Sequence, residues 1–417
     1  MLAFLPECNR LNCRILQLAK ESTPAMKTLS SVFTCIIFIG NSSGFRARKP
    51  YNRFNNLPLP EVVMPVSLRE IAKLGGVSSA TVSRVINGSS LVTPETTERI
   101  QRIIKQVNFV PNRSAVHLKH GKSQIYGAII PDVTNPFFME LVKIFEGVLV
   151  ENDLELLIAN TDFHNSRAQR SIHRMLLRRV EGVAFLTSEL ETASLESLVQ
   201  NRIPVVTTDH YRTAPGISDI VVDFRDGMSQ LIQHLKGLGH RHVGFIGGTE
   251  GLATSRIRRE SFLDAVVMCG MSSKDGWIVA GDYRVSGGEA GMKAILENPE
   301  VPTAVVTAND LTAIGALRMA HQSGLRIPDD ISIAGCDDIE MADIVYPPLT
   351  TLRISRRQYA QMLFDALQIG AQDLTKPGKV FTLPMKLVVR ESTGPAPTGI
   401  RTVTTANGAE APTRRSR

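Results

Sequence analysis

From residue 125 to about 392, short apolar runs alternate with amphipathic helical patterns, and that alternation limits the fold more than any other feature. Strand-like runs fall at 126–130, 155–159, 182–186, 204–208, 242–246, 303–306 and 331–335, with helical patterns at 137–150, 166–179, 227–238 and 311–323 between them. Strand and helix in strict turn predict parallel sheets with crossover helices, an α/β class. A span of this length exceeds one comfortable sheet and predicts two lobes.

Ahead of that span the pattern changes. Ser67-Leu68-Arg69-Glu70-Ile71-Ala72-Lys73-Leu74-Gly75-Gly76-Val77-Ser78 reads as a short helix and a tight turn, and Ser79 to Gly88 as a second helix. Ser67 with Glu70 three residues on is a capping box. Leu68, Ile71, Ala72 and Leu74 share one helical face. Gly75 and Gly76 permit the positive φ of a tight turn. Val77 fills the corner, Ser78 caps the second helix, and Gly88 ends it. Val82, Val85 and Ile86 face inward, leaving Ser79, Ala80, Ser83 and Arg84 outside, a small, polar and basic face suited to the major groove. Thr93-Pro94-Glu95 opens a third helix with an Ile100, Ile103, Ile104, Val107 stripe. The expected core is Val77, Val85, Ile86, Leu91, Ile103 and Val107. So small a core is marginal alone, and the head should gain order from DNA or a partner.

Charge placement agrees. The whole chain carries +7. Residues 65–123 hold nine Lys and Arg against three Asp and Glu, a net +6, whereas residues 124–392 net −7. A basic head on an acidic body implies a polyanion partner for the head alone. Five cysteines without metal or redox spacing fit a reducing cytosol, and no apolar run is long enough to span a bilayer.

The string Thr81-Val82-Ser83-Arg84-Val85-Ile86-Asn87 resembles the headpiece of the lactose/galactose-repressor (LacI/GalR) family at every position. The following Phe109-Val110-Pro111-Asn112-Arg113-Ser114-Ala115-Val116-His117-Leu118-Lys119 is too short to be a stable free helix. In the resemblance it is a hinge, residues 111–123. Asn112, Ala115 and Leu118 match, and Leu118 stands where the family wedges a leucine into the minor groove. The alternative is a plain linker. The resemblance implies DNA contacts from Ser67, Ser78, Ser79, Ala80, Thr81, Ser83, Arg84 and Asn87. Arg84 is expected on a guanine, while Ser79 and Ala80 read by apolar or water-borne contact.

The 124–392 span resembles the same family's periplasmic-binding-protein-like core of doubly wound sheets. The resemblance implies three crossings between a first lobe (124–223, 353–379) and a second (224–352, 380–392), with an effector in the cleft. After the first strand, Asn135, Phe137 and Phe138 are cleft candidates; the Phe pair either stacks on a flat ligand face or packs in the core. Asp162 follows the second strand and Asp209 the fourth. Three further candidates come from the resemblance: Arg258, before the aromatic Phe262; Tyr283; and Asp310. Asp337-Asp338 reads as a structural turn. The implied effector is a sugar, sugar acid or nucleobase, and the arginines Arg256, Arg258 and Arg259 favour an acidic sugar derivative. No leucine heptad follows residue 392, so the expected assembly is a homodimer rather than a tetramer.

No catalytic constellation accompanies this. Gly247-Gly248-Thr249-Glu250-Gly251 follows a strand, but it is neither G-x-G-x-x-G nor a P-loop. The nine histidines lack ligand spacing, so neither metal nor cofactor is expected, and Cys336 reads as a small buried residue. The leading expectation is an effector-controlled, sequence-specific DNA-binding repressor acting on a pseudo-palindrome in the cytoplasm, without membrane contact. The alternatives are a sugar-transport solute-binding component, which leaves the basic head unexplained, and a doubly wound enzyme. Residues 1–64 read as a disordered extension or as sequence upstream of a start at Met64, and residues 393–417 as a disordered tail.

Overall fold

A computed structural model describes residues 66–86, 88–109, 123–187 and 192–397. The expectations for residues 1–64, for Asn87, for hinge residues Asn112, Ala115 and Leu118, and for the chain beyond 397 lie outside these. The chain divides into two units, Met1–Pro111 and Asn112–Arg417.

In the first unit, helices α1 (Leu68–Gly75), α2 (Ser79–Ile86) and α3 (Pro94–Gln106) enclose a core of Ile71, Ala72, Val82, Val85 and Ile100. The capping box forms: the Glu70 amide donates to the Ser67 hydroxyl at 3.3 Å, and the Ser67 amide to the Glu70 carboxylate at 2.6 Å. Of the Gly75–Gly76 pair, only Gly76 takes the left-handed conformation, at φ 62°. Gly75 is needed for another reason, since a Cβ there would lie 2.3 Å from Ile100 Cδ1. Three apolar expectations are overturned. Leu68 (37% exposed), Leu74 (63%) and Leu91 (78%) stay outside the core. Leu74 is turned aside from the Ile71–Ala72–Gly75 contact line by the helical repeat, Leu68 shares that line but stands at the first residue of α1, and Leu91 lies in the loop before α3. Thr93 precedes α3, but its hydroxyl donates to the Thr96 hydroxyl at 3.0 Å rather than accepting from the helix backbone.

The second unit contains two six-stranded sheets. The first, in spatial order, joins β11 (Val380–Leu383), β5 (Ile217–Val222), β4 (Val205–Thr208), β3 (Gly182–Phe185), β1 (Ile125–Ile130) and β2 (Glu155–Asn160). All its pairs are parallel. The second joins β12 (Met385–Val388), β10 (Thr350–Ile354), β9 (Ser332–Asp337), β8 (Ala304–Thr307), β6 (Val243–Ile246) and β7 (Ile278–Val279). There only β12 runs antiparallel, against β10. In each sheet the chain starts in the middle, steps outward once, returns and winds the other way. The order therefore reverses between β1 and β3 and between β6 and β8, and such switch points open a crevice at the carboxyl ends of the strands.

Around the first sheet lie α4 (Pro136–Val150), α5 (Asn165–Leu177), α6 (Thr192–Gln200) and α12 (Arg356–Gln372). The second lobe contributes α7 (Phe224–Gly237), α8 (Ala253–Met268), α9 (Val285–Leu296), α10 (Asp310–Gln322) and the short α11 (Met341–Ile344). Asn135 caps α4 by accepting the Phe137 amide at 3.1 Å, Pro136 opens it, and Phe137, Leu141, Val142, Phe145 and Leu149 line its buried face. Helices α9 and α10 approach closely: a Cβ on Gly288 would sit 2.0 Å from the Thr312 carbonyl oxygen.

The chain passes between lobes three times, after β5, after β10 and between β11 and β12. Two expected boundaries move. The second passage falls at Ser355, not 352/353, because Thr350–Ile354 pairs with β9. The third follows Leu383, not residue 379, because Val380–Leu383 adds to β5. The expected tail also begins too early. Thr393 and Gly394 are buried against lobe 2, where the Gly394 amide donates to the Ser332 hydroxyl at 3.1 Å.

Candidate functional site

On the head, α2 exposes three of the four side chains expected on its outer face. Ser79, Ala80 and Arg84 are exposed, and Thr81 and Ser83 half-buried. The Ser78 hydroxyl accepts the Thr81 amide at 3.1 Å, and the Ser67 hydroxyl is likewise held by its own helix. These two serines anchor helix N-termini whose free amides suit a phosphate, while Arg84 carries the long donor fork of the face.

In the core, the cleft lies where the two switch points meet. Lobe 1 supplies Asp132, Asn135, Phe137 and Phe138 after β1, Leu186 and Thr187 after β3, and Thr208 and Asp209 at the end of β4. Lobe 2 supplies Phe224, Thr254, Arg258, Tyr283, Asn309 and Asp337; Tyr359 of α12 closes the back.

Arg258 organises the lobe 2 wall. Its Nη1 donates to the Ala308 carbonyl and lies 3.4 Å from Asp337 Oδ1 and 3.5 Å from Cys336 Sγ. The guanidinium sits 4.5 Å from the Phe224 ring centroid and 5.6 Å from that of Tyr283. Its buried Nε–H has no partner in the protein, which leaves one donor for a ligand. Asp337 is held above the usual carboxylate range by burial, against the opposing pull of Arg258 and Arg356. Across the cleft, burial lifts Asp209 from its ordinary 3.8 to about 7, although the Val222 amide bond and Arg258 pull the other way. Asp132 stays below its ordinary value: burial raises it, but the Thr134 hydroxyl and amide and Arg284 more than offset that. The Thr208 and Tyr359 hydroxyls share a 2.6 Å hydrogen bond. Phe137 and Phe138 meet edge to face, with ring centroids 5.4 Å apart, and both line the cleft.

The structure therefore gathers Asn135, Phe137, Phe138, Arg258 and Tyr283 at one site. Two candidates fall elsewhere. Asp310 is fully buried behind the wall, accepting the Thr351 hydroxyl at 2.5 Å and the Ile339 amide at 2.9 Å. Its neighbour Asn309 faces the cleft instead, capping α10 and donating to the Tyr283 carbonyl at 3.0 Å. Asp162 stands at the rim, 3.3 Å from Arg167 and 3.5 Å from Arg284. Asp337, read as part of a turn, is the carboxylate that pairs with Arg258. Asp337 ends β9, and the backbone leaves the extended region there, with φ 118° at Asp337 and 56° at Asp338. The signal that finds Asp337, Asn309 and Thr208 is position, since each ends or follows a strand at the switch-point edge.

Hydroxyl-accepting carboxylates, one buried cationic donor and aromatic walls suit a small polyhydroxylated molecule. Among the described residues of the cleft no nucleophile stands beside a base, and burial pushes the Cys336 thiol well above its usual range. Among the described residues no cluster of side chains could hold a metal ion, and no helix is long and apolar enough to cross a membrane.

A groove-reading head joined to a two-lobed ligand cleft defines a DNA-binding regulator that responds to a small molecule. Comparison with known proteins agrees. Residues 67–112 match the family described as bacterial regulatory proteins, lacI family, and residues 232–393 match a periplasmic binding protein-like domain. The ribose operon repressor of Escherichia coli K12 is 33% identical over 304 residues, covering 72% of this chain and 92% of that protein. Catabolite control protein A of Priestia megaterium is 28% identical, covering 79% of this chain and all of the relative. A crystal structure of the Lac repressor bound to ONPG in the repressed state superimposes with a TM-score of 0.71 at 26% identity, covering 79% of this chain and all of that one. A ribose-bound LacI family regulator from Enterococcus faecium superimposes with a TM-score of 0.58 at 25% identity, over 65% and 99%. The chain belongs to the lacI family of bacterial regulatory proteins. It is a sequence-specific DNA-binding repressor and not an enzyme.

Proposed function

We propose that the cleft binds a neutral monosaccharide and that its occupancy sets the affinity of a homodimer for a pseudo-palindromic operator. The observation that carries the choice of ligand is the charge already placed in the cleft. Arg258 is matched by Asp337 and Arg284 by Asp132, while Asp209 adds a further carboxyl. An acidic sugar derivative would find no spare cation there, and above about pH 7 it would meet the ionised Asp209 at an unfavourable like-charge cost. A neutral sugar can instead donate its hydroxyls to Asp209 and Asp337, accept from Arg258 Nε–H, and lay its apolar face on Phe137 or Tyr283. Relatives named for ribose, and a ribose-bound family structure, make D-ribose the first candidate.

On the DNA side, Arg84 contacts a guanine edge, Ser79 and Ala80 read by short-range apolar or water-borne contact, and Ser67, Ser78, Thr81, Ser83 and Asn87 complete the surface. Asn112, Ala115 and Leu118 act in the minor groove. A dimer is supported by a Lac repressor structure described as a dimer bound to operator, and by apolar side chains left in the open on lobe 2: Ile344 (79% exposed) and Tyr346 (93%). Binding chromosomal DNA places the protein in the cytoplasm.

The test is a thermal-shift screen of neutral monosaccharides against their aldonic and uronic acids, followed by operator titrations with each hit. Stabilisation by a neutral sugar that also changes operator affinity supports the reading. Stabilisation by the acids alone would refute it.

A further inference from the structure

At the mouth of the cleft, one charged side chain of lobe 2 crosses to lobe 1. Arg284 Nη2 lies 3.3 Å from Asp132 Oδ2 and 3.5 Å from Asp162 Oδ1. Asp132 lines the cleft, and Phe163, next to Asp162, lines it too. The guanidinium therefore spans the opening from the start of α9 to the turns that follow β1 and β2.

The base of Arg284 is rigid. It is the N-terminal flanking residue of α9, and its amide donates to Asp282 Oδ1 at 2.8 Å. Tyr283, just before it, holds φ 63° and packs so tightly on Gly248 that a Cβ there would fall 2.1 Å from the ring. Its hydroxyl accepts from Ser255 Oγ at 2.9 Å. The lobe 1 anchor is equally fixed, since Asp132 Oδ1 accepts both the amide and the hydroxyl of Thr134, at 2.8 and 2.7 Å. Its other oxygen is left for Arg284. The bridge itself is soft: the Arg284 side chain is 52% exposed and Asp162 is 38% exposed. Exposed pairs contribute about 0–1 kcal/mol, enough to bias closure but not to lock it.

We infer that Arg284 is a specificity-determining residue: by bridging Asp132 and Asp162 over the cleft mouth it limits the ligand to a single sugar ring and slows its escape. A sugar carrying a glycosidic substituent has to project through the opening that the bridge occupies, so binding it requires the bridge to break. A single ring makes no such demand on the bridge. The inference rests on the proposed neutral-sugar ligand, and it adds a residue that works by covering the ligand rather than by pairing with the buried Arg258 and Asp337.

The experiment compares wild type, Arg284→Ala, Arg284→Lys and Asp162→Asn. Binding is measured for a panel of neutral monosaccharides, their β-phenyl glycosides and common disaccharides, and dissociation rates by stopped flow. Wild type should bind a monosaccharide up to about fivefold more tightly than its phenyl glycoside. Arg284→Ala should lose that preference and release the monosaccharide about two- to fivefold faster, as expected for losing a pair of this strength. Arg284→Lys, which keeps the charge, should restore most of the preference, and Asp162→Asn should speed release without admitting the glycoside as readily. If wild type binds the glycoside or a disaccharide as tightly as the monosaccharide, or if Arg284→Ala changes neither size preference nor release, the inference fails while the sugar reading stands. If wild type responds to no sugar in the panel, the sugar reading fails and this inference with it.

Discussion

Arg258→Ala tests the account of the cleft most directly. The substitution removes the cation from a buried wall and leaves the carboxylate of Asp337, 2% exposed, without its partner. Breaking a buried pair from one side costs about 3–5 kcal/mol, because the remaining charge has lost its compensation. Asp337 escapes part of that cost by taking up a proton. Its folded pKa is already raised by burial, and removing Arg258 raises it further. The folded variant then holds a proton that the unfolded chain releases above about pH 4. Stability must therefore fall as pH rises, so the deficit against wild type is smallest near pH 4 and grows towards pH 8, by at most about 1.4 kcal/mol per pH unit. The chain contains one tryptophan, Trp277, buried in the same lobe, with its Nε1–H donating to the Glu300 carbonyl at 2.8 Å. Urea denaturation followed by its fluorescence reports on lobe 2 directly. Arg258→Met with Asp337→Asn removes both charges and should recover most of the lost stability while still failing to bind ligand. A single variant that loses less than about 1 kcal/mol with no pH slope, or a double variant as unstable as the single one, would refute the pairing argument.

Three further outcomes are expected. Arg84→Ala should weaken specific operator binding by about 1–3 kcal/mol and relax one base position, with non-specific binding changed much less; a selection-based operator profile identical to wild type would remove Arg84 from base reading. Asp209→Asn should flatten the pH dependence of core stability between about pH 4 and pH 7, because the folded state keeps a proton on Asp209 up to about 7 while the unfolded chain loses it near 3.8. Stability contributed by that proton is present below the lower value and lost as pH rises through the upper one, so the variant should gain on wild type at pH 7.5, and calorimetry across that range should reveal no such gain if the carboxyl is ordinary. Tyr346→Asp places a charge on the exposed lobe 2 patch and should weaken self-association in sedimentation velocity with little change in melting temperature; an unaltered dimer would put the interface elsewhere.

How much of this could be read from the chain depended on where each residue sits. The inner strands β1, β3, β4, β6, β8 and β9 are covered on both faces and read as unbroken apolar runs, so they stand out. β5 did not. It carries Asp219, whose carboxylate is buried and satisfied by the Thr207 hydroxyl at 2.6 Å and the Tyr211 amide at 2.8 Å. Those partners are assembled only by the fold, and in sequence the aspartate looks like a break. The late strands β10, β11 and β12 were hidden by the lobe crossings, where neighbours in sequence belong to different sheets. The cleft shows the same limit at finer scale. Arg258 was visible from its place before Phe262, but its partner was not. Asp337 ends β9, and Asp310 opens α10 shortly after β8. Which one faces the ligand depends on the pleat and on the positive φ at Asp337, and no one-dimensional pattern carries that.

The head shows what happens when a helical face is judged by residue type alone. Leu68, Ile71, Ala72 and Leu74 are all apolar, yet only the middle pair is buried, because α1 meets α3 along a narrow line on which Gly75 lets Ile100 come close. Among the described residues, five side chains then make up the buried core of this unit, and three large leucines remain exposed. A core this small buries too little apolar area to offset chain entropy comfortably. The head consequently relies on its caps: the Ser67–Glu70 box, the Ser78 cap and the left-handed Gly76 and Gly88 each satisfy backbone groups at helix ends, at about 0.5–2 kcal/mol for a polar cap. Free amides remain at these serine-capped helix ends, so the residues that stabilise this small unit also leave donors suited to a phosphate. Substituting Ser78 should therefore weaken folding and DNA binding together, whereas Arg84, exposed and outside the core, can change base preference while leaving the fold intact.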